Sequence, residues 1–181
     1  NSVKGAKQVF IFTHSFDFLK LLINWVKGAR ADAGYFMIKN KYVGNVRCAE
    51  LTAMDKELYQ YESEYHYLFK TLKALSGAQD DTIARAYPVP NIARKVWDTF
   101  LMFRVPNGQS SYKKMDELKK AGFDEQKLDA IYKFTNDQSH ITGSGFNPSL
   151  VSETKKVLSE LFEMMKTIAP EHYEILDRAT S

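Results

Sequence analysis

The feature that most constrains this fold is one short strand-like segment in a chain that is otherwise patterned for helices. Residues Gln8–Thr13 read QVFIFT, a continuous run of β-branched and aromatic side chains. Such a run is typical of a strand buried on both faces of a parallel sheet, which needs neighbouring strands. Either the neighbouring strands come from outside this chain, or the sheet is very small and packs against the helices. We favour the first interpretation, and expect the chain, which begins Asn1-Ser2 without a methionine, to be a piece of a longer protein.

Hydrophobic periodicity assigns the elements that follow this strand. Ser15 is placed to cap a helix from Phe16 to Lys27, and the strands Tyr35–Lys39 and Tyr42–Cys48 predict a hairpin that turns at Asn40-Lys41. From residue 55 onward the pattern is almost entirely helical. The predicted helices cover Leu58–Leu75, Ile92–Phe103, Tyr112–Lys120, Asp124 to about His140, a long segment capped by Asn147 and stopped by Pro170, and Glu171–Arg178.

The predicted fold class is therefore mainly α with a small α/β start. Residues 1–54 would hold the strand, the helix and the hairpin, and residues 55–181 would form a helical bundle. Tyrosine and leucine side chains follow heptad spacing between Leu58 and Leu75. This seam fits packing inside the bundle, which we favour, or an interface with a second copy of the chain.

Composition restricts the classes of function that remain. One cysteine, Cys48, excludes a disulfide framework and a cysteine-based zinc site, and a buried inert thiol is expected. The net charge of +3 excludes a strongly basic nucleic-acid-binding arm, though not a local basic patch. Apolar runs are too short for a membrane span, and no signal-peptide pattern is present. We therefore predict a cytoplasmic protein with no membrane partner.

His14 is the first candidate for chemistry. It directly follows the predicted strand, at the edge where open α/β sheets bind ligands. An imidazole at this edge is placed to polarise the terminal phosphate of a nucleotide or to position a water. The alternative is a histidine that bonds a neighbouring loop carbonyl, and the isolated motif favours that alternative.

Two further groups of polar residues lie on predicted helices. Arg94 and Asp98 are four residues apart and share a helix face, which on its own predicts a surface ion pair worth about 0.3 kcal/mol. His140 stands near a predicted helix end, on the same flank as Lys133 and Asn136. Taken alone, this position favours a histidine that caps the helix.

The remaining histidines do not suggest a metal site. His14, His66, His140 and His172 are scattered, and no His-x-x-x-His or Glu-x-x-His pair is present. His66 is expected to be structural, and the sequence names no partner for His172.

The segment QVFIFTHSFDFLKLL resembles the strand and switch-histidine region of ABC-type ATPases, and more narrowly the ATPases of bacterial anticodon nucleases of the PrrC and RloC type. The resemblance implies that His14 is the switch histidine and contacts nucleotide. It also implies that residues 1–54 are the carboxyl-terminal edge of an ATPase lobe, whose remainder lies upstream. The chain contains no P-loop motif, Walker B pair or ABC signature. ATP or GTP with Mg²⁺ is therefore expected only in the full-length protein, with no hydrolysis by this chain alone.

The segments RKVWDTFLMFRVP and YKFTNDQSH resemble the carboxyl-terminal region of the same ATPases, where an Arg-x-x-x-Glu helix precedes an Asn-x-x-Ser-His helix. In the anticodon nucleases such residues form the nuclease site on a fold related to the HEPN ribonucleases. The resemblance implies that residues 55–181 are a HEPN-like effector module with Arg94, Asp98 and His140 as catalytic residues. Asp98 stands where that pattern has Glu, and the Arg-x-x-x-x-His string of HEPN enzymes is absent.

This site would cleave RNA without a metal. His140 would handle protons, Arg94 would stabilise charge on the phosphate, and Asp98 would hold either of them in place. The predicted substrate contacts are Lys95, Lys133, Asn136 and Arg104, with Tyr132 or Trp97 as a stacking surface.

Two functions follow. The first is a nucleotide-controlled phage-defence ATPase-nuclease that cleaves RNA, with tRNA as one candidate, and that forms a homodimer at full length. The alternative is a non-catalytic helical interaction or dimerisation module that couples an ABC-type ATPase to a separate effector.

Overall fold

A computed structural model describes residues 8–29, 32–44, 46–78, 82–137 and 150–180. Over these residues the chain is mainly helical with one two-stranded antiparallel hairpin near its start, which confirms the predicted fold class. The elements are α1 (Phe16–Ala29), β1 (Phe36–Val43), β2 (Val46–Ala53), α2 (Lys56–Gln60), α3 (Glu64–Gly77), α4 (Ile83–Ala86), α5 (Val89–Arg104), α6 (Ser111–Lys120), α7 (Glu125–Asp137), α8 (Leu150–Ile168) and α9 (Pro170–Thr180).

Two compact units make up the chain. The amino-terminal unit is Asn1–Glu64 and the helical unit is Tyr65–Ser181. It stays a prediction that residues 1–54 are the edge of an ATPase lobe and that residues 55–181 are an effector module.

The apolar segment before α1 does not form the strand that its sequence favours. Residues 8–15 have no regular secondary structure, and Phe10 and Phe12 are 72% and 81% exposed. A strand needs a partner to satisfy its backbone groups, and no strand of the described residues pairs with this one. The capping prediction is confirmed, since the backbone N–H of Phe18 donates to Ser15 Oγ at 3.3 Å.

The hairpin turns later in the sequence than predicted. Gly44 has a φ of +59°, so it takes the left-handed conformation that a tight hairpin turn needs, and Val43 pairs with Val46 across it. The expected turn at Asn40-Lys41 lies inside β1 instead. There Asn40 Oδ1 accepts hydrogen bonds from Arg47 at 3.0 and 3.2 Å, which ties the two strands together.

The predicted helix Leu58–Leu75 is two helices. Residues 61–63 separate α2 from α3, and Ser63 stands directly before α3, where serine is favoured as a cap. Tyr61, at the break, is 7% exposed. The heptad pattern predicts one continuous helix here, but the helix is interrupted at the position where the Tyr61 ring is buried.

The core of the helical unit is built around α5. Trp97 is 1% exposed, its ring stacks on Phe100 at 5.4 Å, and its Nε1 donates to Met115 Sδ at 3.2 Å. Burial of a large apolar side chain contributes roughly 1.5–3 kcal/mol. The remaining large side chains below 2% exposure in this unit are Phe69, Leu72, Leu101, Leu128, Ile131, Leu158, Leu161 and Met165.

The connection between α6 and α7 follows from local sequence. Gly122 has a φ of +89°, and the N–H of Phe123 donates to the Leu118 carbonyl, which closes the end of α6. Asp124 then accepts a hydrogen bond from the N–H of Lys127, so it caps α7 as predicted. The predicted cap Asn147 of α8 lies outside the described residues.

Candidate functional site

Arg94 and Asp98 lie together on α5, as their spacing predicts. Arg94 Nε stands 3.6 Å from Asp98 Oδ2, with side chains 38% and 41% exposed. The buried positions Val96 and Trp97 set the orientation of α5 in the core, so the ion pair falls at the border between core and solvent.

Asp98 has a second partner that sequence reasoning missed. Ser111 Oγ, at the first position of α6, donates to Asp98 Oδ1 at 2.5 Å. The two carboxylate oxygens therefore face two different partners, Ser111 and Arg94. The sequence feature that could have indicated this contact is the loop VPNGQSS, which connects α5 to α6. Gly108 in this loop has a φ of +69°, and the chain turns there so that α6 begins beside α5.

Tyr112 is the neighbour of Ser111, which bonds the Asp98 carboxylate, and its ring contacts α7. It follows Ser111 directly, it is 59% exposed, and its ring lies edge-on to the ring of Tyr132 at 5.5 Å. α7 also carries Lys133 and Asn136, two of the predicted substrate contacts. The start of α6 thus contacts α5 through Ser111 and α7 through Tyr112.

The other predicted substrate contacts lie on α5 and α7, and their roles stay predictions. Lys95, Arg104 and Lys133 are exposed, and Asn136 is half-buried. Trp97 is wrong as a stacking surface, because its ring is buried and its indole N–H donates to Met115 Sδ in the core. Tyr112 is the exposed ring at this site instead.

His140 lies outside the described residues, so its position relative to Arg94 stays a prediction. His14 is exposed in the segment before α1, and its role in nucleotide binding also stays a prediction. Cys48 in β2 is half-buried and free, rather than the fully buried thiol expected.

His172 is a structural residue with partners that the sequence does not name. Its Nε2 lies 2.9 Å from the hydroxyl of Tyr65, and its ring packs edge-on to Phe100 at 5.7 Å. Burial, and to a smaller extent the neighbouring His66, lowers the pKa of His172 below its usual range. The neutral imidazole is therefore favoured where it links α9 to α3 and α5.

A family model described as an AAA domain matches residues 1–163, and so extends over most of both units. No curated protein and no solved structure matches the chain significantly. Within the described part of the chain, no helix is both long and apolar enough to cross a membrane.

Proposed function

The chain belongs to the AAA-domain family and is an ATPase-related protein, and on that premise we propose that its helical unit is an RNA-cleaving effector controlled by nucleotide. The observation that carries this proposal is Asp98, whose two oxygens are held by Ser111 and Arg94 at a partly exposed surface. A carboxylate held on both sides keeps a neighbouring cation in one orientation, which is what a phosphate site requires.

The reaction needs a proton acceptor and a fixed cation. His140 would take the proton of the ribose 2′-hydroxyl, whose oxygen then attacks the adjacent phosphorus. Arg94 would stabilise the negative charge that develops on the phosphate oxygens, and Asp98 would orient its guanidinium. The bond to the 5′ oxygen breaks and that oxygen takes up a proton from water, which leaves a 2′,3′-cyclic phosphate and a 5′-hydroxyl. His140 then releases the proton that it took to the solvent. No step requires a metal.

Exposed apolar residues in the amino-terminal unit are an argument that this unit packs against a further part of the same protein. The apolar residues Val9, Phe10, Ile11 and Phe12 are all at least 48% exposed. We propose that this segment completes a sheet in an upstream ATPase lobe of the same protein, where His14 would approach ATP or GTP bound with Mg²⁺. The complete protein would act as a homodimer in the cytoplasm, in defence against phage.

A second candidate is a non-catalytic module that couples the ATPase to a separate effector. It is favoured by exposed apolar side chains on α1, since Leu21 and Trp25 are 66% and 63% exposed. Such side chains suit a surface that is covered by a partner.

Cleavage by the complete gene product distinguishes these candidates. We would incubate it with total tRNA and with a single-stranded RNA, with and without ATP or GTP and Mg²⁺, and identify the product ends. Wild type is expected to leave cyclic phosphates in a nucleotide-dependent way, while His140→Ala and Arg94→Gln lose at least ~100-fold in rate. Arg178→Gln, an exposed arginine on α9, is the control and should cleave normally. Equal cleavage by wild type and His140→Ala would remove His140 from the mechanism, and no cleavage by either protein would favour the coupling module.

A further inference from the structure

The first turn of α6 carries hydrogen-bond donors that the described residues do not use. No acceptor in this part of the chain is bonded to the backbone N–H groups of Ser111, Tyr112 and Lys113, and the Ser110 side chain makes no capping bond. The turn also contains no acidic residue. Free N–H groups give the amino-terminal end of a helix a partial positive charge, which favours the approach of an anion.

Lys114, at the fourth position of α6, adds a full positive charge to this end of the helix. It is only 7% exposed, and it lies on the face of α6 that carries Ser111 and Met115. Within the part of the chain that the structure describes, its ammonium group has no hydrogen bond and no ion pair. Lys119 and Lys120 on the same helix each pair with a carboxylate. A lysine as deeply buried as Lys114 is rarely left without a partner, so this unpaired charge points to a ligand.

The ammonium group of Lys114 is accessible to such a ligand, and helix geometry sets its direction. The buried side-chain atoms without a partner, among the described residues, are Thr52 Oγ1 and Glu160 Oε2, so the Lys114 nitrogen still reaches solvent. Long side chains in a helix slope towards its amino-terminal end and cover the residues three and four positions earlier, here Ser111 and Ser110. The buried stem therefore leads the charge towards the first turn of α6.

The same turn contacts Asp98. Ser111 Oγ donates to Asp98 Oδ1 at 2.5 Å, and Arg94 Nε stands 3.6 Å from Asp98 Oδ2. The Asp98 carboxylate is therefore engaged by Arg94 and Ser111, and it forms no ion pair with Lys114. An unpaired ammonium group and three free N–H groups thus belong to the turn that bonds the proposed catalytic pair.

We propose that Lys114 and the first turn of α6 bind a backbone phosphate of the RNA substrate. This inference rests on the proposed RNA-cleaving function and adds to it a phosphate-binding residue other than the exposed Lys95 and Lys133. A phosphate has several acceptor oxygens, so it can accept hydrogen bonds from the helix N–H groups and contact the ammonium group at the same time. The exposed ring of Tyr112 belongs to the same turn and offers a stacking surface to a neighbouring base.

Binding of single-stranded RNA to the full chain tests the proposal. The chain carries His140→Ala so that the probe stays intact, and fluorescence anisotropy measures the affinity over a range of salt concentrations. Lys114→Met keeps the buried apolar stem and removes the charge. It should weaken binding about 10-fold and reduce the slope of log affinity against log salt concentration by about 0.7, the value for one phosphate contact on a single strand.

Lys120→Met is the matched control. Lys120 lies at the carboxyl-terminal end of the same helix with its side chain 63% exposed, and its replacement should leave affinity and salt slope close to those of the parent chain. Circular dichroism and urea denaturation establish that each variant is folded. Lys114→Gln is a second variant that removes the same charge.

The inference is overturned if the parent chain does not bind RNA, or if the folded Lys114 variants keep its affinity and salt slope. It is also overturned if Lys120→Met has the same effect as Lys114→Met. An effect of Lys114→Met on the binding of inorganic phosphate, but not of RNA, would assign the site to a free phosphate and overturn the assignment to RNA. Failure of the complete protein to cleave RNA would remove the proposed reaction, whereas this assay measures binding in the absence of cleavage.

Discussion

Ser111 donates a hydrogen bond to Asp98 across an interval of 13 residues, at 2.5 Å between the two oxygens. This bond joins the first turn of α6 to the middle of α5 and leaves the other carboxylate oxygen facing Arg94. The pair of Arg94 and Asp98 therefore has a tertiary contact, to Ser111, in addition to the helical spacing that brings the two residues together.

Removal of the Ser111 hydroxyl should loosen Asp98. Ser111→Ala loses a hydrogen bond to a charged group, which is worth about 1.5–3 kcal/mol when formed and less where solvent replaces it. We expect cleavage to fall about 10-fold, because Arg94 loses its fixed partner. Ser110→Ala is the matched control, since Ser110 makes no side-chain capping bond. Equal cleavage rates for Ser111→Ala and wild type, with both proteins folded, would remove Ser111 from the site.

Tyr112 should contribute to RNA binding. Its exposed ring follows Ser111, and stacking of a base on an aromatic side chain is worth about 1–3 kcal/mol, or at least ~5-fold in affinity. Tyr112→Leu should therefore weaken binding of single-stranded RNA, measured by fluorescence anisotropy in the His140→Ala background so that the probe stays intact. Tyr87→Leu replaces another tyrosine of the helical unit, 56% exposed, and serves as the comparison. If both variants bind RNA alike, Tyr112 is a surface residue only.

Trp97 should be important for stability rather than for RNA binding. Trp97→Ala leaves a cavity in the core and should cost about 3–5 kcal/mol of unfolding free energy. Phe103→Ala, on the same helix but 65% exposed, should change stability by less than about 0.5 kcal/mol. Urea denaturation followed by circular dichroism measures both values. A small effect of Trp97→Ala would contradict the packing described for α5.

His172 should make the helical unit less stable as the pH falls. Its pKa is lowered in the folded state, so below its unfolded pKa of about 6.5 the unfolded chain binds more protons. The stabilising effect is complete above that value and is lost as the pH falls from there towards the folded pKa. Unfolding free energies between about pH 7.5 and pH 5.5 should therefore decrease for wild type.

His172→Phe keeps an aromatic ring against Phe100 but cannot titrate. The fall in stability over the same pH range should be smaller for this variant than for wild type, whatever its absolute stability. Parallel curves for the two proteins would show that other groups dominate the pH dependence.

Several elements could be predicted from local sequence because the decisive interactions are local. Ser15 caps α1 and Asp124 caps α7 through bonds to backbone groups three residues away, and any chain with those residues can form them. The buried stripe of α8 likewise follows its helical period, from Leu150 to Ile168. The resemblance to ATPases is confirmed at the level of the AAA-domain family. The nuclease group, its catalytic residues and its substrate stay predictions.

The amino-acid sequence by itself determined most of the helical segments, though not the break between α2 and α3 or the short α4. It also determined that Arg94 and Asp98 share a helix face, because such features depend on neighbours within about four residues. Only the tertiary structure decided that Ser111 reaches Asp98, that Trp97 is enclosed while Tyr112 is exposed, and that residues 8–13 stay unpaired. Each of these outcomes depends on contacts between segments far apart in the chain, or on partner strands, and such contacts leave no periodic pattern in the sequence.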